Sequence, residues 1–497
     1  MEFVVDGKTM KKLDDYTINK IGIPSLVLME RAALAFTNVL LEKIESTDSI
    51  IVLTGPGNNG ADGVAIARLL KLKGYQVEVY IMGETKQFSI QLKEQISIAA
   101  KLGVNFINNA KICEYTVVID AIFGIGLGRS VGGNVAEVIE CVNNCDNQVF
   151  SVDIPSGIHS GCGKVMEHAI RADYTVTFGY QKVGMLMYPG CEYAGRVSVA
   201  DIGFPTIEFA KLIPTGFIYQ KEDLKLLPSR PSNSNKGSFG KVLVIAGSKN
   251  MSGACYMSAK AAYRMGAGLV KVLTVEENRT IMQTMLPEAI ISTYHSERIE
   301  NELSKIQEDI RWASTIVLGP GIGISASSRT LLSLILKEAQ VPTIIDADGL
   351  NLLAELGKLE EAPLNEHMIL TPHIKEMSRL LHIELNEVRE NAIEIAQKIS
   401  KEKNYTLVLK DARTLVAGNE SLYINTSGND GMATGGSGDV LTGVIAGLLA
   451  QGMRPYQAAC LGTYIHGMAG DIAAQKLGKY SLMATDIIEY LSVASLV

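Results

Sequence analysis

Two short strings carry the residue types of phosphoryl and proton chemistry. The first is Gly431-Met-Ala-Thr434-Gly435-Gly436-Ser437-Gly438-Asp439-Val440-Leu-Thr442-Gly443. Successive amides at a Gly-rich helix start can hold charge developing on a transferring phosphoryl group, and a carboxylate beside them can accept a hydroxyl proton. Asp439 stands at that place. No Gly-Lys-Ser/Thr follows, which separates the string from a Walker loop; the alternative is a structural Gly turn. The second string, Gly55-Pro-Gly57-Asn58-Asn59-Gly60-Ala61-Asp62, is formally G-x-G-x-x-G. Its amides can cradle a phosphate, yet Asp62, expected in the first turn of a helix, would repel an anion lying on it. Asp62 therefore suggests a sugar hydroxyl, a cation or an acid–base role, with stabilisation of the helix dipole as the alternative.

Other polar groups follow apolar runs, where the ligands of α/β sheets gather. Asp120-Ala-Ile-Phe-Gly124-Ile125-Gly126-Leu127-Gly128-Arg129 offers a guanidinium in a Gly-rich loop, suited to phosphate. Ser151-Val-Asp153-Ile-Pro-Ser156-Gly157 brings a carboxylate and a hydroxyl to the same rim. Asn59, Asp120 and Ser156 can reach one point, and their all-oxygen set suits a hard cation rather than zinc. Capped turns are the alternative for each. In the second half, Gly319-Pro-Gly321-Ile-Gly323 and Asp346-Ala-Asp348-Gly-Leu-Asn351 follow strands, and Lys410-Asp411-Ala412-Arg413-Thr414 carries charges suited to a nucleotide tail. Of seven His, only His373 in Thr371-Pro-His373 falls at a strand end; His159, His168, His295, His367, His382 and His466 are read as structural or surface groups.

Loops of this kind need parallel strands to carry them. Short β-branched runs alternate with helical stretches throughout, which predicts an α/β chain. Strands are expected near Ile50–Thr54, Gln76–Ile81, Thr116–Asp120, Val149–Asp153 and Tyr174–Phe178, with helices near 61–73, 88–102 and 134–144, a doubly wound sheet. An initial helix containing Ile21, Leu26, Val27, Met29, Ala32, Ala33 and Ala35 is expected to pack on it. The rhythm breaks between Pro205 and Ser238 in a polar, turn-rich stretch. A second series follows at 241–246, 268–274, 315–318, 343–346, 368–370 and 407–410, closing in helices from about Gly438. Two domains are expected, 1–215 and 216–497, with no internal repeat.

Composition sets the limits. The 497 residues allow two to four domains, and 47% hydrophobic against 20% charged residues describes well-packed globular material. A net charge of -7 supplies no basic field, so no nucleic-acid partner is expected and bound phosphates must rely on local donors. Mean hydropathy of +0.17 is high, but no apolar run approaches a membrane span. The start lacks a basic then apolar leader, which predicts a cytoplasmic protein. The seven Cys show neither a redox CxxC nor a zinc knuckle and are expected as reduced thiols, mostly buried. The apolar content points to a homo-oligomer.

On these strings the first half resembles the NAD(P)H-hydrate epimerase family, through Asn58-Asn59-Gly-Ala-Asp62-Gly, Val118-Ile-Asp120-Ala-Ile-Phe-Gly124 and Val152-Asp153-Ile-Pro-Ser156-Gly157. The second half resembles the ADP/ATP-dependent NAD(P)H-hydrate dehydratase family, of ribokinase-like fold. Its strings are Lys236-Gly-Ser-Phe-Gly-Lys241 with the run to Ser248, Gly319-Pro-Gly321, Ile345-Asp346-Ala-Asp348 and Thr434-Gly-Gly-Ser-Gly-Asp439. Their order resembles the fused bifunctional repair enzymes. The expected fold is thus an N-terminal Rossmann-like doubly wound sheet followed by a ribokinase-like α/β domain.

The resemblance implies that Asn58, Asn59, Gly60, Ala61, Asp62, Gly124, Ile125, Gly126, Leu127, Gly128, Arg129 and Asp153 bind the hydrated dinucleotide, while Asn59, Asp120 and Ser156 hold potassium. It implies that Ala254, Gly321, His373 and Asp439 contact the hydrate, and that Lys410, Asp411, Ala412, Arg413, Thr414 and Gly438 contact the nucleotide. Epimerisation of the R and S forms of NADHX and NADPHX would use Asp153 as acid–base residue. Dehydration of the S form would use ADP, or ATP, with Mg2+: Asp439 takes the C6 hydroxyl proton and phosphate then leaves. Two departures from the family pattern stand out: Ile374-Lys375 where Pro-Gly is usual, and Asp411 where Gly is usual. Alternatives are a ribokinase-type small-molecule kinase fused to a dinucleotide-binding domain, an oxidoreductase, for which Glu78 is poorly placed inside its strand, and a non-catalytic binding module.

Overall fold

The computed structural model describes residues 1–357, 359, 362–402, 404–418 and 421–495. The chain divides into two compact units, Phe3–Gly216 and Phe217–Val497, the latter including Met1–Glu2. Both are α/β.

In the N-terminal unit seven strands form one sheet in the spatial order Asn105–Ile107, Gln76–Ile81, Ser49–Thr54, Val117–Ala121, Gln148–Val152, Tyr174–Phe178 and Arg196–Ala200. All six pairings are parallel. Alternation along the strands fills both faces: Ile50 and Val52 join a core with Leu28, Phe36 and Val64, whereas Ile51 and Leu53 join one with Ile139 and Val142. This doubly wound arrangement agrees with the sequence reading. The chain runs from Ser49–Thr54 to one edge, then returns to build the other side from Val117–Ala121. A crevice opens at such a reversal, beyond the strands' carboxyl ends.

Several elements differ from expectation. The edge strands Asn105–Ile107 and Arg196–Ala200 are short or carry polar and small residues, so their apolar signal is weak. The initial segment forms two helices, Gly7–Tyr16 and Ser25–Leu41, and the second turns Leu28, Met29, Ala32, Ala33 and Phe36 inward while Ile21, Leu26 and Val27 are exposed. The thiols are not all reduced: Cys113 and Cys145 form a disulfide, with Cys141 Sγ 4.0 Å from Cys145 Sγ. Both segments lead into neighbouring parallel strands, Val117–Ala121 and Gln148–Val152, which is why cysteines 32 residues apart meet. Of the remaining five, Cys255 and Cys460 are buried.

In the C-terminal unit the strands run in the order Ile290–Tyr294, Leu269–Val275, Lys241–Ile245, Thr315–Leu318, Thr343–Ile345, Met368–Leu370, Thr406–Leu409, Leu415–Ala417 and Leu422–Ile424. Pairing is parallel as far as Thr406–Leu409 and antiparallel through the last three. The order again reverses, between Lys241–Ile245 and Thr315–Leu318. Against this sheet lies Ser437–Ala450, a helix buried at every residue from Val440 to Ala450. It approaches helix Ser252–Arg264 closely: a Cβ on Gly443 would strike the Ser258 carbonyl and come within 2.7 Å of the Ala261 side chain. No described helix is long and apolar enough to cross a membrane.

Candidate active sites

The N-terminal crevice is a cavity of about 710 Å³. Pro56–Asn59 and Asp62 line one wall, Ile122–Arg129 another, with Asp153 and Lys182 between strand ends and Met10, Lys11 and Asp14 from the first helix. Every residue expected at the dinucleotide is on this lining except Gly60 and Ala61, which are buried behind it. Gly60 is needed there because a Cβ would collide with the Gly55 carbonyl, whereas Gly57 faces open space. Helix Asn58–Leu72 starts three residues earlier than expected, which moves Asp62 from the first turn to the second and into the cavity wall. Its carboxylate has no hydrogen-bond partner among the described residues. Burial, then the negative charges of Asp153 and Asp14, push its pKa well above the ordinary carboxyl value.

Asp153 is held differently. Its backbone is left-handed, φ 69°, uncommon for a non-Gly residue though least so for Asn and Asp. Lys182 is ion-paired to its Oδ1, which also accepts from Thr177 Oγ1 and the Phe178 amide at 3.1 Å each. The Lys182 ammonium, fully buried, donates further to Thr177 Oγ1 at 2.8 Å and to the Phe178 carbonyl at 3.0 Å. Arg129 is exposed at the rim with no ion pair among the described residues, free to meet a phosphate.

Asp120 and Ser156 meet directly. The Ser156 hydroxyl donates to Asp120 Oδ1 at 2.5 Å, and the Ser156 amide and Ser151 hydroxyl donate to Oδ2 at 2.8 Å each. Burial raises the Asp120 pKa despite these bonds. Asn59 stands against Gly124, whose neighbour Phe123 donates its amide to Ser156 Oγ at 2.8 Å. The buried Asn59 Nδ2 has no hydrogen-bond partner among the described residues. Turning that amide over would place an oxygen there instead, completing an all-oxygen set around a buried carboxylate. Glu78, the acid an oxidoreductase would need, is taken up by Tyr115 and Asn105 beside its strand.

In the C-terminal unit the Gly-rich turn leads into helix Ser437–Ala450 with Gly436 left-handed at the cap. Asp439 lies in the first helical turn, its carbonyl accepting from Ser258 Oγ at 3.0 Å. Burial chiefly, then Asp346, raises its pKa to about 7. Lys410 pairs with Asp346 at 2.7 Å, and its Nζ lies 3.3 Å from where a Cβ on Gly438 would be. Burial opposes the ammonium, but Asp346 and Glu376 hold its pKa above the ordinary value. Lys410 and Gly438 are thus together. So are Ala254 and Gly321, since a Cβ on Gly321 would sit 2.9 Å from the Ala254 methyl group.

His373 and Lys410 face each other across a parallel bridge of their backbones. The His373 side chain caps helix Ile374–Leu381, with Nδ1 accepting from the Glu376 amide at 3.1 Å. Ile374 is buried in that helix, so the departure there shapes the cap rather than the site. Asp411 is exposed and turned to its own loop, where it accepts from the Ala412 amide at 2.9 Å. Arg413 donates to the Thr426 carbonyl at 3.2 Å and Thr414 Oγ1 to that of Asp411 at 3.2 Å. His466, read as structural or surface, is buried beside the Gly-rich turn, 3.5 Å from Ser437 Oγ, and burial lowers its pKa to about 4.

Residues 25–184 match the family model of the YjeF-related protein N-terminus, and residues 242–492 match that of NAD(P)H-hydrate dehydratase. The bifunctional NAD(P)H-hydrate repair enzyme Nnr of Moorella thermoacetica is 34% identical, over 98% of this chain and 96% of that one. Its namesake in Coxiella burnetii is 35% identical, over 99% of each. The chain belongs to the bifunctional NAD(P)H-hydrate repair enzymes. The relative from Escherichia coli is 32% identical over 95% of this chain and 90% of its own. An ADP/ATP-dependent NAD(P)H-hydrate dehydratase from Bacillus subtilis, co-crystallised with ATP and Mg2+, is 26% identical, covers 56% of this chain and 97% of its own, and superposes with a TM-score of 0.49.

For a repair enzyme of this family, sequence reasoning passed over three charged residues. Lys182 lies in the two-residue strand Gln181–Lys182, with no motif around it, and reads as a surface lysine. Asp14 belongs to a helix that sequence reading did not resolve. Glu376, buried, lies near Lys410 and Asp346, and burial raises its pKa. The signal that would have found Glu376 is its place three residues after His373, the spacing of a capping box.

Proposed function

We propose that the N-terminal unit interconverts the R and S forms of NADHX and NADPHX, and that the C-terminal unit dehydrates the S form with ADP, giving AMP and phosphate. The observation that carries the second step is Asp439 itself, a half-buried carboxyl poised near neutrality in the turn after the Gly435-Gly436 amides, with the Lys410 ammonium beside Gly438. Asp439 takes the C6 hydroxyl proton, the oxygen attacks the terminal phosphoryl group, and the turn's amides hold the charge that builds there. Phosphate is a far better leaving group than hydroxide, and the ring nitrogen expels it. Lys410, Asp411, Ala412, Arg413, Thr414 and Gly438 bind the nucleotide; Ala254, Gly321 and His373 line the hydrate's side. A magnesium ion bound with the nucleotide would shield the phosphates.

In the N-terminal unit, Asn58–Asp62 and Gly124–Arg129 bind the dinucleotide and Asp153 moves a proton at C6. The buried Asp120 carboxylate, Ser156 and the unpartnered amide of Asn59 fit a potassium ion, which would neutralise that carboxylate and fix the loops carrying Gly124 and Ser156.

The test is to incubate the full chain with mixed NADHX epimers and ADP or ATP and follow the return of NADH absorbance. Complete recovery from the mixture supports both activities. Recovery of half shows dehydration without epimerisation. A stable phosphorylated product would replace the reading with a kinase, and no turnover with a binding role.

A further inference from the structure

The cavity of the N-terminal unit holds two carboxyls in opposite circumstances. Asp153 is gripped by the Lys182 ammonium, the Thr177 hydroxyl and the Phe178 amide, all donors that favour a carboxylate. Asp62 enters the same cavity with no hydrogen-bond donor among the described residues and with Asp153 and Asp14 as negative neighbours. Two carboxyls whose surroundings drive them apart are suited to act as acid and base of one reaction. The inference rests on the proposed epimerase activity of this cavity.

Carbon C6 of the hydrate carries both a hydroxyl and the ring nitrogen. Inverting it by water exchange needs a proton for the departing oxygen and an acceptor for the proton of the incoming water. We propose that Asp62 is the second catalytic residue of epimerisation, donating a proton to the leaving C6 hydroxyl, while Asp153, fixed by Lys182, accepts the proton of the water that returns. The C6–O bond breaks and its oxygen leaves as water, carrying the Asp62 proton. The nitrogen pair forms a planar N1=C6 iminium ion. Water then adds to the other face of C6, the nitrogen regains its pair, and one proton passes to Asp153. The ring's oxidation state is unchanged, and exchange with solvent restores the two carboxyls. Burial and the neighbouring carboxylates raise the Asp62 pKa, which favours the proton-bearing form an acid needs. The charged groups facing Asp62 are Asp14 and Lys11 of the first helix, Asp153, Lys182 and Arg129.

Epimerisation in oxygen-18-labelled water, followed by mass spectrometry, tests the chemistry. Each inversion should import one labelled oxygen; inversion with the original oxygen kept overturns the proposal. Asp62→Asn tests the residue: kcat for epimerisation should fall about a hundredfold or more, far beyond any change in KM, while S-hydrate dehydration by the same protein stays normal. A fall in both activities would signal misfolding, and Asp62→Glu then serves: partial kcat with a displaced alkaline limb supports the proposal, a wild-type pH profile overturns it. If wild-type protein epimerises and Asp62→Asn retains its rate, Asp62 is not the acid. If wild-type protein does not epimerise at all, the activity assigned to the cavity fails first.

Discussion

Lys410 Nζ lies 2.7 Å from Asp346 Oδ1, and the other oxygen of that carboxylate accepts from Thr442 Oγ1 at 2.7 Å. One buried carboxylate therefore ties a strand-end lysine to the helix that carries the Gly-rich turn. Three segments distant in sequence, ending at Ile345, Leu409 and Ala450, are fixed at one point.

Asp346→Asn keeps the shape of that joint and removes its charge, leaving the Lys410 ammonium buried without its nearest counter-charge. The C-terminal unit should lose about 3 kcal/mol, the scale for breaking a buried pair. Urea unfolding followed through Trp312 reads this unit specifically, because Trp312 is the chain's single tryptophan. An unaltered midpoint would mean that Glu376 alone satisfies Lys410.

Asp439 predicts an acidic limb in dehydration. With its pKa raised to about 7, the base is half available near neutrality, so kcat/KM should climb with pH up to that value and level off. Asp439→Asn should lose about a hundredfold or more at every pH. A variant that dehydrates normally removes Asp439 from the mechanism.

The same carboxyl carries a stability prediction of opposite sense. Its pKa is higher folded than unfolded, so its contribution is fully present below the unfolded value of 3.8 and is lost as pH rises through about 7. Asp439→Asn, neutral throughout, should therefore melt at a higher temperature than wild type at about pH 8, by a margin that shrinks as pH falls and nearly closes at about pH 4. Equal differences at both pH values would show that Asp439 is not titrating in this range.

Gly438→Ala should act on the nucleotide alone. The new methyl would sit 3.3 Å from Lys410 Nζ, at the flexible end of a side chain, and no left-handed backbone is needed there. We expect about a tenfold rise in KM for ADP with the Trp312 unfolding midpoint unchanged, roughly 1.4 kcal/mol of binding. Gly435→Ala, which meets nothing within 4 Å, is the control for the fold.

Potassium should matter only to epimerisation. Replacing potassium by sodium should slow the wild-type epimerase step and leave dehydration alone, and Asp120→Asn should abolish the difference. Epimerisation indifferent to the cation in wild-type protein would dismiss the site at Asn59, Asp120 and Ser156.

Much of this was legible because parallel sheets concentrate polar residues after apolar runs. Asp120 lies at the end of a strand, and Asp153, Gly321, His373 and Lys410 follow strands, that the β-branched pattern reveals, and sequence position alone leads to them. Lys182 escaped for the opposite reason: its importance comes from Asp153, twenty-nine residues away in sequence, and nothing local distinguishes it from a solvated lysine. The disulfide was missed because spacing was judged along the chain. Cys113 and Cys145 lie 32 apart, yet each precedes one of two adjacent parallel strands, and only the strand order brings them together. Asp62 was found but misplaced by a helical turn, since the helix begins on Asn58, a residue that reads more naturally as part of the loop.

The unbroken burial of Val440–Ala450 bears on how a nucleotide would be received. Those eleven positions are locked into the core, so the amides at the head of their helix take up their orientation when the chain folds, before any phosphate arrives. A ligand docking there meets dipoles already aligned and need not spend binding strength on organising them. Association should then be fast and governed by diffusion and charge, with no slow ordering phase in a stopped-flow trace, and selectivity between nucleotides must reside in the Lys410–Thr414 side of the site.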